Sequence, residues 1–222
     1  MRILITAGPT REFFDSVRFL SNPSTGKMGY ALARAAASRR HKVVLVSGPV
    51  ALDPPSGVRC IRVVSAADMY DACRTAFRSC DVAIFTAAVC DYRPARRFST
   101  KRAKKAEPWH MVLRPTRDIA AMLGRVKGRR ITVGFAMEDH NGRAHAERKL
   151  CKKALDMIVL NGPQNVGSDR AQVEVLARAG TWVRWPGRLK SAVAERLIRE
   201  LERLASNRLK RGDPKRVKGG LL

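Results

Sequence analysis

The chain has 222 residues, 45% of them hydrophobic, enough for a real core in one or two domains; a staple-dependent miniprotein and a wholly disordered chain are both excluded. Its 44 Lys and Arg stand against 19 Asp and Glu, for a formal charge of +25. Anionic ligands are expected, with nucleotides, phosphorylated metabolites and nucleic acid all open on charge alone.

Residues 2–7 form a short apolar run closed by Gly8-Pro9, which is the pattern of a buried strand. Comparable runs at 42–47, 60–64, 81–87, 131–135 and 157–160 predict further strands, and helical patterns lie between them at 29–39, 66–78, 118–123 and 142–154. This alternation implies parallel strands joined by crossover helices. The fold class is therefore α/β, a Rossmann-like doubly wound and mostly parallel sheet, with ligands expected at the carboxyl ends of its strands. The pattern changes at 172. Runs at 172–176 and 181–185 flank Ala177-Arg178-Ala179-Gly180 and predict an added C-terminal β-hairpin at a sheet edge. Residues 190–204 then read as an amphipathic helix whose core face carries Val193, Leu197, Leu201 and Leu204. One domain is expected over 1–206, followed by a basic, disordered tail over 207–222.

No apolar run approaches the roughly 18–20 residues that cross a bilayer, and the first strand breaks too early for a signal peptide, so a cytoplasmic location and no membrane partner are expected. The five cysteines form no CxxC pair and most lie in apolar segments. They are read as small buried hydrophobes, not as disulfides or zinc ligands.

Three loops carry the candidate chemistry. The segment after the first strand is long for a βα connection, and its small residues from Ser24 to Gly29 would let backbone N–H groups approach an anion at a helix start. It holds neither GxGxxG nor a Walker loop, since Ser21 stands at the first glycine position and Met28 at that of Ser/Thr. After the fourth strand, Ala87-Ala88 leaves room for a flat ring and Asp91 could accept from an exocyclic amine, or serve simply as a turn residue. The cluster Arg96 to Lys105 suits phosphates or nucleic acid, or plain solvent. Further on, Lys149 and Lys153 share one helix face with no acid between them, a repulsive arrangement that a triphosphate would relieve; a solvated helix face is the alternative. The four histidines show no spacing that marks a catalytic triad.

Taken in order, Thr10-Arg11-Glu12, Arg18-Phe19-Leu20-Ser21-Asn22, Gly26-Lys27-Met28-Gly29, Val46-Ser47-Gly48-Pro49, Ala87-Ala88-Val89 with Asp91-Tyr92-Arg93-Pro94, and Val133-Gly134-Phe135-Ala136 resemble the phosphopantothenoylcysteine synthetases. The likeness runs over about 1–204. It implies a stand-alone form, lacking the decarboxylase domain that precedes the synthetase in many bacterial relatives. It also implies a ligase of coenzyme A biosynthesis: a nucleoside triphosphate activates 4′-phosphopantothenate as an acyl-nucleotidylate, and cysteine displaces the nucleotide through its amine. CTP is the implied co-substrate, with ATP open, Mg²⁺ the implied metal without assigned ligands, and a homodimer the implied assembly. Nucleotide contacts carry over to Phe85, Thr86, Ala87, Asp91, Lys101, Arg117, Asp118, Ile119, Ala120, Phe135, Lys149 and Lys153. Asn22, Arg18 and Lys101 take the catalytic positions, and Asn22, Gly26 and Lys27 the substrate loop. Around Lys101 the register is ambiguous, because matching the terminal lysine pair puts Arg102 in its place. A nucleic-acid-binding protein on the same fold is the alternative from another class, disfavoured by an aromatic content of 6%. A dinucleotide oxidoreductase lacks its glycine fingerprint.

Overall fold

The computed structural model describes residues 1–104 and 106–210. Strands β1 (Arg2–Ala7), β4 (Lys42–Ser47), β5 (Val58–Arg62), β6 (Val82–Phe85), β9 (Ile131–Met137) and β10 (Met157–Asn161) are mutually parallel. Antiparallel β11 (Arg170–Ala177) and β12 (Val183–Leu189) complete an eight-stranded sheet of order β12-β11-β10-β9-β6-β1-β4-β5. The expected Rossmann-like sheet and its C-terminal hairpin are thus present. The hairpin carries a bulge between Ala171 and Val173.

Two layers of helices explain why the central strands read as unbroken apolar runs: β1 is buried on both faces, so every residue after Arg2 is apolar or satisfied. On one face, α1 (Lys27–Ser38) and α5 (Lys190–Lys210) pack with Ile3, Ile5 and Val159. On the other, α2 (Ala66–Phe77), α3 (Ile119–Arg125) and α4 (Gly142–Lys152) pack with Leu4, Ala83 and Ile158. Leu197, Ile198 and Leu201 of α5 are fully buried, each stabilising the layer by about 1.5–3 kcal/mol. α5 continues to Lys210, past the expected boundary at 206; the remainder of the expected tail, 211–222, lies outside the described residues. Cys73, Cys80 and Cys90 are buried as expected, and burial pushes the Cys73 thiol up to about 12.

Two small hairpins were not legible in the sequence. β2 (Arg11–Phe13) pairs with β3 (Phe19–Ser21), and β7 (Tyr92–Pro94) with β8 (Leu113–Pro115). Strands of three residues are too short to show a period. The first of them interrupts the segment read as one long ligand loop. Its turn is built on Asp15, whose Oδ1 accepts from the backbone N–H of Val17 (2.8 Å) and Arg18 (2.7 Å).

Candidate active site

A cleft of about 530 Å³ opens at the carboxyl rim of the sheet. It lies between the loops that leave β1, β6, β9 and β10 and the starts of α1, α3 and α5. α1 begins at Gly26, whose φ of 75° suits glycine, with no side-chain cap and no acid in its first turn. Its first N–H groups therefore offer positive potential to an anion. Gly29 brings this helix start onto the sheet: a Cβ there would lie 2.5 Å from that of Ala7 and 2.7 Å from Thr86 Oγ1.

Most of the expected site residues line this one cleft: Asn22, Gly26, Lys27, Phe85, Thr86, Ala87, Asp91, Arg117, Asp118, Ile119, Ala120, Phe135, Lys149 and Lys153. Asn22 Nδ2 donates to the carbonyls of Ala88 (3.1 Å) and Val89 (3.2 Å), tying the loop after β1 to the loop after β6. The Thr86 hydroxyl donates to the Thr6 carbonyl, which anchors the same loop to β1. Asp118 caps α3 by accepting from Ala121 N–H at 3.0 Å.

The two lysines of the α4 segment are not unneutralised, contrary to the expectation from their spacing. Lys149 bonds to Glu138, and Lys153 pairs with Asp118 at 3.0 Å. Both acids come from other elements, which helix spacing cannot reveal. Burial pushes the Glu138 carboxyl up, but Lys149 and His145 outweigh it and hold it below the ordinary carboxylate range. Phe135 packs with the α1/α5 layer while Lys149 of α4 and its C-cap Lys153 lie on the opposite face, so both faces of the sheet contribute to the cleft lining.

Arg18 and Lys101, assigned to catalytic positions, are outside this lining. Arg18 is held by Asp15 through Nε at 2.9 Å and Nη2 at 2.7 Å, and donates to the Arg102 carbonyl at 2.7 Å. Asp15 also accepts from the Arg102 N–H at 3.2 Å. Burial opposes the Asp15 charge, but the hydrogen bonds from Val17, Arg18 and Arg102 hold its carboxyl far below the ordinary range. Lys101 is exposed, and the Arg102 guanidinium lies over Phe98 (4.5 Å) and Trp109 (5.4 Å). The basic segment is therefore fastened to the β2–β3 hairpin. Lys27 does line the cleft, bonded to Asp169 at 2.6 Å and to the Gly167 carbonyl at 3.1 Å.

Among the lining residues that sequence reasoning did not assign to the site are the polar Asn161, Asn165 and Lys190. Lys190 reads as the polar first residue of a helix, yet it is only 9% exposed. Among the described residues no three His, Cys, Asp or Glu side chains gather as metal ligands. Asp91 and Asp118 are the carboxylates that line the cleft.

Fold and cleft together define a Rossmann-like α/β protein with a cleft lined by cationic side chains at its strand ends. The chain belongs to the family described as DNA/pantothenate metabolism flavoprotein C-terminal domain, whose model matches residues 1–204. It is 41% identical over 208 residues to the coenzyme A biosynthesis bifunctional protein CoaBC of Bacillus subtilis (strain 168), covering 91% of this chain and 51% of that one. It is also 41% identical over 206 residues to a protein of an unknown prokaryotic organism named cysteine/cysteine sulfinic acid decarboxylase, covering 90% of this chain and 57% of that one. The chain thus spans about half the length of these curated relatives. The solved C-terminal domain of a CoaBC protein superposes with a TM-score of 0.82 at 39% identity, covering 93% of this chain and 96% of that domain. Among the described residues no helix is long and apolar enough to cross a membrane.

Proposed function

We propose that this chain is the ligase that joins 4′-phosphopantothenate to cysteine in coenzyme A biosynthesis, using CTP in preference to ATP, with Mg²⁺, as a homodimer. The observation that carries this reading is convergence: Asn22, Asp91, Asp118, Lys149 and Lys153 come from separate segments and line one cleft in a member of a pantothenate-metabolism family.

In the first step a carboxylate oxygen of phosphopantothenate attacks the α-phosphorus, the bond to pyrophosphate breaks, and an acyl-nucleotidylate forms. In the second the cysteine amine attacks the acyl carbon, nucleoside monophosphate leaves, and the amine loses a proton. Anions must meet in the first step, so cations have to stand where charge accumulates. Lys149 and Lys153 are preorganised by Glu138 and Asp118 for that purpose, and the α1 start adds backbone N–H groups. Mg²⁺ would neutralise phosphate charge, with Asp118 as its protein contact, while Asp91 accepts from the exocyclic amine of the base. By exchanging its bonds to the Ala88 and Val89 carbonyls, Asn22 would steady the mixed anhydride without offering a nucleophile of its own. Arg18 and Lys101 stand outside the cleft of their own chain, so their service to the reaction requires a second copy to present them.

Purified protein given phosphopantothenate, cysteine, Mg²⁺ and CTP should release pyrophosphate, more slowly with ATP. Absence of turnover with either nucleotide overturns the reading. The +25 charge favours a second one, nucleic-acid binding, which predicts a steeply salt-dependent titration; a flat titration at physiological salt removes it.

A further inference from the structure

Where the loop after β10 meets the start of α5, the cleft holds a group of polar side chains that the nucleotide assignments leave unused. Asn161 closes β10. Met157 and Val159 pack with the α1/α5 layer and Ile158 with the other, so strand alternation turns Asn161 toward α1 and α5, away from the face that carries α3 and α4. Its Oδ1 is buried and, among the described residues, is the only buried side-chain oxygen or nitrogen without a hydrogen-bond partner. An orphaned acceptor in a protein interior costs free energy and calls for an explanation. Because no protein bond holds this amide, rotation about its terminal torsion can turn the oxygen into the cleft.

Lys190 supplies the complement. Its Nζ donates to the carbonyls of Asn165 (2.9 Å) and Ser168 (2.5 Å), both in the loop that Asn161 begins. An ammonium has three donors, so one remains. The neighbouring groups are already committed. Asn165 exchanges both ends of its amide with the Gln172 backbone, and Lys27 is neutralised by Asp169. This end of the cleft therefore presents one free acceptor and one free cationic donor. A phosphate offers acceptors only: it could accept from Lys190 and from the Asn161 Nδ2 donors, but it would leave Asn161 Oδ1 unmatched. A zwitterionic α-amino acid offers an ammonium and a carboxylate and satisfies both.

We propose that Asn161 and Lys190 form the cysteine subsite, Asn161 Oδ1 accepting from the amine and Lys190 Nζ donating to the carboxylate. The inference rests on the ligase reading. It places cysteine at the end of the cleft where β10 and the start of α5 meet, leaving the Lys149 and Lys153 side to the triphosphate.

The test compares cysteine with cysteamine, which has the amine and thiol but no carboxylate, and separates both from the pyrophosphate burst measured without any amine. Wild type should prefer cysteine over cysteamine at least 10-fold in kcat/KM. Lys190→Met should bring that ratio close to one with the burst retained. Asn161→Leu should raise the KM for both amines 10-fold or more, again with the burst retained, and its Tm should not fall below that of wild type because an unmatched polar atom is replaced by an apolar group of similar size. A merely structural asparagine would instead lower Tm and burst together. Full cysteine preference in Lys190→Met, or an unchanged amine KM in Asn161→Leu, overturns the subsite while leaving the ligase intact. Absence of a burst from wild type removes the ligase reading, and the subsite with it.

Discussion

Lys149 bonds to the carboxylate of Glu138, which also accepts from His145 Nδ1 at 3.0 Å, so a cation of the α4 helix is aimed at the cleft before any ligand arrives. A charge-assisted hydrogen bond contributes about 1.5–3 kcal/mol. Lys149→Met should therefore raise the KM for the nucleoside triphosphate by about 10- to 100-fold. Steady-state kinetics with the nucleotide varied checks this, and an unchanged KM would remove Lys149 from the phosphate site.

Asp15 links three parts of the chain: its own turn, Arg18 and the backbone of Arg102. Asp15→Asn keeps the shape but loses the charge, and should loosen the basic segment before the cleft is affected. Hydrogen exchange in residues 96–104 should speed up at least 10-fold, and equal protection in variant and wild type would show that the segment is held by other means.

The same carboxylate sets a pH window. Asp15 is held below its ordinary value of 3.8 in the folded chain, so the unfolded chain binds its proton more readily. Its stabilisation is fully present above about pH 5 and is lost as the pH falls through the folded value. Wild type should thus exceed Asp15→Asn in Tm at pH 6–8, and the gap should narrow progressively below pH 4. A gap that widened on acidification would reverse the assigned sign.

Gly29 permits the contact between α1 and β1. Gly29→Ala would press a methyl against Ala7 and Thr86, and overpacking of this kind costs about 1–3 kcal/mol. Urea denaturation should show that loss, accompanied by weaker nucleotide binding because the α1 start shifts. Wild-type stability in the variant would mean that the helix start yields freely.

Asp156 is a buried acid shared by Lys127 (2.7 Å), the Thr132 backbone (2.8 Å) and Arg208 (2.5 Å). Arg208 is half exposed and Lys127 remains when it is removed, so Arg208→Ala should cost only about 1 kcal/mol. Asp156→Asn leaves Lys127 largely buried without its counter-charge and should cost about 3 kcal/mol. Equal losses from the two substitutions would contradict this division.

The sequence by itself determined the layers. Residues 2–7, 42–47 and 131–135 are short, mainly apolar runs with sharp ends, as buried strands are, and Val193, Leu197 and Leu201 recur at the pitch of a helix, so the α/β class and the hairpin were legible. The resemblance likewise marked Asn22, Asp91 and Lys149, which line one cleft. Period and motif are local quantities, however, and pairing is not. That Glu138 neutralises Lys149, that Asp15 ties Arg18 and Arg102 outside the cleft, and that Lys190 lies buried against Asn165 and Ser168 depend on side chains brought together across 11, 87 and 25 residues of chain. Only the tertiary structure decided these, because a charged group far along the chain becomes a partner when crossovers and sheet order set it alongside. The same long-range packing left the Asn161 oxygen unpaired.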